Sequence, residues 1–226
     1  MRVPVVVVLA LLSLAPGMMA KDADERLTAA AEVLADMMHA SDRGIPQDLM
    51  NKSQCVVIVP GMKKGAFIVG AKYGKGFVMC RRESGMGWSA PAAIRVEGGS
   101  FGFQIGGSEQ DVILLVMNSS GMKKLLSDQF TLGGEGTVSA GPLGRDASAQ
   151  TDALMRAEML SYSRSRGAFA GISLQGATLR QDDDADMELY GRRISNREIL
   201  HEDVKAPPAA APLEALLNKT SMRKDR

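Results

Sequence analysis

Gly98-Gly99-Ser100-Phe101-Gly102 fits the G-x-S-x-G pattern that presents a nucleophilic serine on a sharp strand-to-helix turn. Asp182, Asp183 and Asp184, and then His201, follow it in the Ser…Asp…His order of the α/β-hydrolases. The surroundings do not suit that chemistry. Phe101-Gly102-Phe103-Gln104-Ile105 continues as a Gly-studded strand where the elbow needs a helix, so a Gly-rich turn or bulge is the better reading. His201 falls near the edge of the domain and His39 within an N-terminal helix. A serine hydrolase is therefore the weakest alternative, and no catalytic residue is assigned.

The remaining chemical candidates are a phosphate cradle, a cation site, a cysteine pair and a basic stretch. Gly65 to Gly76 brings Gly and Lys together but lacks the G-x-x-x-x-G-K-[ST] spacing of a nucleotide loop. The run Asp182, Asp183, Asp184, Asp186, Glu188 lacks the central Gly of an EF-hand loop and reads as a helix cap in a solvated loop. No metal and no cofactor is expected. Cys55 and Cys80 lie in strand-like segments and either pair or remain two buried thiols. Lys63, Lys64, Lys72, Lys75, Arg81 and Arg82 crowd one short stretch of strands and turns. On a shared sheet edge they would meet phosphate headgroups; otherwise they are ordinary solvated charge.

The elements that must carry these residues are short. Leu27, Ala31, Leu34 and Met38 recur at helical spacing behind an Asp22/Glu25 cap, so Asp22 to Ala40 is expected as a helix packed on a sheet. Cys55 to Val59 is expected as a buried strand closed by Pro60-Gly61. A hairpin is expected from Gly65 to Arg82, turning at Gly74-Lys75-Gly76. Trp88–Val96, Ser100–Ile105 and Asp111–Met117 follow as separate strands, the first two parted by Gly98-Gly99. Thr151 to Arg164 reads as a long strand that turns at Ser165-Arg166-Gly167 into Ala168–Leu179. Ser195 and Glu198 have capping-box spacing. Gly-Met-Lys-Lys occurs at both Gly61 and Gly121, by chance or as two similar turns rather than as a repeat.

Composition bounds the whole. The 226 residues are 45% hydrophobic, with 24 Gly and few aromatics, which suits one domain rich in short strands and tight turns. Arg2, the apolar run Val5–Leu14 and the break at Ala15-Pro16-Gly17 read as a secretory signal cut after Ala20. The run is too short for a comfortable membrane span. Removing residues 1–20 leaves 26 basic against 26 acidic residues. That balance argues against nucleic acid as a partner.

Cys55–Pro60, Lys63–Gly70, Gly74-Lys75-Gly76, Gly87–Pro91, Gly98–Gly107, Asp111–Asn118, Ala140–Asp146, Leu160–Ser165, Gly167–Gly171 and Asp182–Gly191 follow one another in that order. On these blocks the segment from Ile45 to Gly191 resembles the SYLF lipid-binding family. The resemblance implies a non-enzymatic, exported protein of the periplasm or the medium that meets phospholipid or a membrane surface; together with the local crowding of charge, it makes the six basic residues the expected lipid site. The alternative is a structural envelope component that binds another protein. Actin is not expected as a partner of an exported chain unless the cell delivers it into a host. The expected fold is α+β, an antiparallel, barrel-like sheet with peripheral helices. Its expected limits are a signal at 1–20, the domain at 21–205 and a Pro/Ala-rich linker with a basic tail at 206–226.

Overall fold

In the computed structural model, residues 22–40, 44–82, 86–127, 129–134, 138–144, 157–165, 168–171 and 174–221 are described. The expected signal segment lies outside them.

Two very long strands organise the chain. β1 (Cys55–Cys80) has 26 residues and β2 (Ala92–Val116) has 25. They pair antiparallel from Cys55 opposite Val116 to Val78 opposite Ala92. The breaks expected at Pro60-Gly61, at Gly74–Gly76 and at Gly98-Gly99 do not interrupt the ladder. Pro60 and Gly61 form a bulge, marked by a register shift between Val59 and Met62, where a missing proline N–H is tolerated.

Gly76 has a different purpose from a turn. A Cβ there would lie 2.0 Å from the Ile58 carbonyl oxygen and 2.8 Å from the Val59 Cα. β1 therefore curls back over its own beginning, and only a residue without a side chain permits the approach. The two ends of the strand then meet. The Arg81 N–H donates to the Gln54 carbonyl at 2.8 Å. The Cys55 and Cys80 sulfurs are bonded to one another, with Cα atoms 3.9 Å apart.

Among the described residues, five short strands extend the sheet: β3 (Gln129–Thr131), β4 (Val138–Ala140), β5 (Met159–Ser165), β6 (Ala168–Gly171) and β7 (Ala177–Gln181). The order is β3-β7-β2-β5-β4, with β1 also on β2 and β6 also on β5. Among the described pairings, β4 with β5 alone is parallel. β7 pairs with β2 at Ile94–Gly98 and β5 pairs with it at Asp111–Val116, so β2 is the spine of a curled half-barrel. The expected α+β class holds. Of the expected strand across Thr151–Arg164, 151–156 lie outside the described residues, Ala157 and Glu158 form a bend, and the strand begins only at Met159. The return strand ends at Gly171, and β7 begins afresh at Ala177.

Strand alternation divides the apolar residues between two cores. Val56, Ile58, Phe77, Met79, Ile113 and Leu115 face the helices α1 (Ala23–His39) and α6 (Ala211–Thr220). Val57, Val59, Val78, Ile94, Leu114 and Leu179 form the second core on the other face. Asp22 caps α1 by accepting the Glu25 N–H at 2.7 Å. The buried stripe of α1 is Leu27, Ala30, Val33, Leu34 and Met37, so the helix spends its apolar face on the protein. The smaller helices are α2 (Gln47–Lys52), α3 (Ser119–Leu125), α4 (Asp183–Tyr190) and α5 (Asn196–His201). Ser195 caps α5 by accepting the Glu198 N–H at 3.2 Å.

The expected linker and tail at 206–226 needs correction over its described part, 206–221. Pro208–Ala210 forms a 3₁₀ turn leading into α6, whose Leu213 and Leu217 are fully buried with Ala210. The Ser221 hydroxyl accepts the Trp88 indole N–H at 2.9 Å. The Pro and Ala residues start a helix here, because proline suits the first helical turn.

The curl makes a direct prediction. Gly76→Ala should cost about 3 kcal/mol or more in urea unfolding, because the new methyl meets backbone that cannot move aside. Gly99→Ala, whose Cβ would meet nothing within 4 Å, should change stability by less than about 1 kcal/mol.

Candidate functional site

The bulge in β1 opens a cleft of about 500 Å³ between α1 and the curled hairpin. That volume lies within the range of small-ligand sites. Arg26 and Glu32 line it from α1, Lys63, Tyr73 and Lys75 from β1, and Glu109 from β2. Gly61 sits at the bulge with φ +58°. The inserted residue shifts the alternation of β1, which puts Lys63, Tyr73 and Lys75 on the face toward α1.

A three-member ion network fixes the cleft walls. Asp111 accepts the Gly61 N–H at 3.0 Å and thereby pins the bulge. Its second oxygen accepts from Arg164 Nε at 3.0 Å and Nη2 at 2.7 Å. Arg164 also donates to Asp36 of α1, which ties the helix to the sheet. Burial alone would lower the Arg164 pKa, but the hydrogen bonds to Asp111 and Asp36 outweigh it and raise the value.

The six basic residues of the expected lipid site do not form one patch. Lys63 is exposed at the cleft. Lys75 lines it too, yet its ammonium lies 2.8 Å from the buried Asp182 carboxylate. Lys64 and Lys72 fall on the opposite face by strand alternation. Burial lowers the Lys72 pKa, and the neighbouring Lys64 charge lowers it further. Arg81 is a structural clamp. It donates to the carbonyls of Ser53 at 2.9 Å, Asn51 at 3.2 Å and Ser221 at 2.9 Å, and stacks 4.6 Å from the Trp88 ring centroid. Arg82 donates to the Trp88 carbonyl at 3.0 Å and pairs with Asp203 at 2.9 Å. The split follows from the unforeseen bulge and from the continuous strand where a turn was expected.

The acidic run also departs from the solvated cap expected for it. Asp182 and Asp186 are each only 1% exposed. Asp186 accepts the Ala93 N–H at 2.8 Å. Burial pushes its pKa up to about 7; the Ala93 hydrogen bond opposes the rise, and the Asp182 and Asp183 charges add to it. Among the described residues, no cluster of His, Cys, Asp and Glu could hold a metal ion. Ser100 lies within β2 opposite Gly70, and strand continues on both sides of it, so the nucleophile-elbow geometry is absent at that serine.

Sequence reasoning missed Glu32, Glu109, Asp111 and Arg164. Asp111 carried a weak signal, a charge opening an apolar run that must be buried. Its pairing with Arg164, 53 positions away, had none.

The family model Ysc84, described as "Las17-binding protein actin regulator", matches residues 97–220. The match extends through α6, past the last sequence block at Gly191. An SH3 domain-containing protein of Schizosaccharomyces pombe is 35% identical over 177 residues, covering 77% of this chain and 41% of that protein. Protein YSC84 of Saccharomyces cerevisiae is 33% identical over 189 residues, covering 82% of this chain and 40% of that protein. The mouse SH3 domain-containing YSC84-like protein 1 is 33% identical over 195 residues, covering 84% and 57% respectively. The chain thus spans well under two thirds of the length of these curated relatives.

The buried carboxyl of Asp186 has a pH signature. An aspartate in the unfolded chain titrates near about 4, whereas folded Asp186 titrates at about 7. Between those values the folded protein holds a proton that the unfolded chain has released, so stability falls as pH rises through the window. Asp186→Asn keeps an oxygen for the Ala93 N–H. Between roughly pH 5 and pH 8 the wild-type melting temperature should fall relative to that of the variant; parallel curves would exclude the assignment.

Proposed function

The chain belongs to the Ysc84 (SYLF) family, and from that membership we propose that it is an exported, non-catalytic protein of the cell envelope that binds phospholipid. The observation that carries this reading is the cleft. A cavity of about 500 Å³, walled by an amphipathic helix and a curled hairpin, presents the exposed Lys63 ammonium next to apolar Ala29, Val33 and Pro60. A headgroup phosphate on the lysine with the glycerol end against the apolar wall suits that mixture. The bonded Cys55–Cys80 pair fits an oxidising compartment and so favours the periplasm or the medium.

A second reading is favoured by the family description, which speaks of Las17 binding and actin regulation. On that reading the chain is a protein-binding component of the envelope, and actin becomes a partner only if the cell delivers the protein into a host.

Vesicle flotation of the purified protein separates the two. Vesicles mixing phosphatidylethanolamine and phosphatidylglycerol should carry the protein upward. One basic contact near such a surface is worth roughly 1 kcal/mol, so Lys63→Ala should weaken binding about fivefold. Lys72→Ala and Arg82→Ala should change it little. Absence of flotation at low and high salt would remove the lipid reading in favour of the protein-binding one.

A further inference from the structure

The charges lining the cleft are not all of one sign, and several are already committed. Arg164 is held by Asp36 and Asp111, and Lys75 by Asp182. Among the described residues, Lys63, Glu32 and Glu109 line the same cleft, are exposed and have no ion-pair partner. Lys63 and Glu109 are directly opposed in the β1–β2 ladder. Opposed residues of opposite charge usually close on one another. Here they do not, and the bulge explains why. A Cβ on Gly61 would lie 2.6 Å from Glu109 Oε1, so the carboxylate is turned along the strand over the bare glycine and away from Lys63.

The result is an ammonium and a carboxylate held apart across a cavity, with a second carboxylate, Glu32, on the helix side. A purely anionic headgroup reaching Lys63 would also meet Glu32 and Glu109 and be repelled. A headgroup carrying both signs would satisfy all three. We propose that the cleft selects a phosphoethanolamine group, with its phosphate on Lys63 and its primary ammonium on Glu109. This rests on the lipid-binding reading given above. The side chains of opposed residues start roughly 5 Å apart, a span that suits the two-carbon arm between phosphate and ammonium. A primary ammonium donates hydrogen bonds to a carboxylate. A trimethylated one cannot, and is held instead by several aromatic faces, of which, among the described residues, Tyr73 alone lines this cleft. The preference is thus for ethanolamine over choline as well as over glycerol headgroups.

The chemistry is shared by a membrane phospholipid and by the free headgroup, so the test has two arms. Flotation uses phosphatidylcholine vesicles alone, or with one part in about three replaced by phosphatidylethanolamine or by phosphatidylglycerol. Calorimetry uses soluble phosphoethanolamine. The wild-type protein should bind ethanolamine-containing vesicles about fivefold tighter than either other composition. Glu109→Gln, at an exposed position, should abolish that preference and raise binding to phosphatidylglycerol, with an unchanged melting curve. Lys63→Met should weaken binding to both. Wild-type preference for phosphatidylglycerol, or an ethanolamine preference that survives Glu109→Gln, would overturn the selectivity while leaving lipid binding intact. Binding of soluble phosphoethanolamine that depends on Glu109, without vesicle binding, would support the selectivity and remove the membrane reading. Failure of both arms would overturn both.

Discussion

The return of β1 across its own beginning is the constraint on which the rest of the molecule depends. A strand of 26 residues does not ordinarily meet itself. Here the bare backbone of Gly76 lets it lie on Ile58 and Val59, and the Cys55–Cys80 bond and the Arg81–Gln54 hydrogen bond close the ends. Once the hairpin is curled, β2 has only one free edge for β5 and β7, and both pair there. The curl also places both ends of β1 under the helices, so Val56 and Ile58 share one core with Phe77 and Met79.

The polar interactions follow from that shape. A curled ladder needs a place to absorb the bend, and the Pro60-Gly61 bulge is one such place. The bulge exposes a backbone N–H, which Asp111 satisfies, and Asp111 in turn orients Arg164 toward Asp36. A hydrogen bond made to keep the strand intact therefore also fixes the distance between α1 and the sheet, and with it the width of the cleft. Arg164 and Asp111 are both partly buried, so removing either one would leave the other's charge poorly compensated.

What could be read in advance depended on how local the cause was. The caps at Asp22 and Ser195 were legible, since a cap and its partner lie three residues apart. The stripe on α1 was legible to within a residue. The apolar runs were recognised as strands, but their glycines were read as turns. Gly76 shows why: a glycine required by a close approach looks the same in sequence as one required by a turn. The Pro/Ala segment before α6 misled in a similar way, because the same residues start helices and form linkers. In the site, Lys63 and Lys75 were named in advance. Their separation from Lys64, Lys72 and the clamp residue Arg81 depends on a one-residue bulge, which inverts every side chain beyond it. Glu109 became visible only once the ladder register placed it opposite Lys63.

Hydrogen–deuterium exchange of the protein, with and without phosphatidylethanolamine-containing vesicles, locates the binding surface without any substitution. New protection should concentrate in residues 26–36, 60–64, 73–75 and 109–111, the segments that wall the cleft, while α6 stays unchanged. Protection confined to α6 or to other surfaces away from the cleft would contradict the assignment of the cleft as the site.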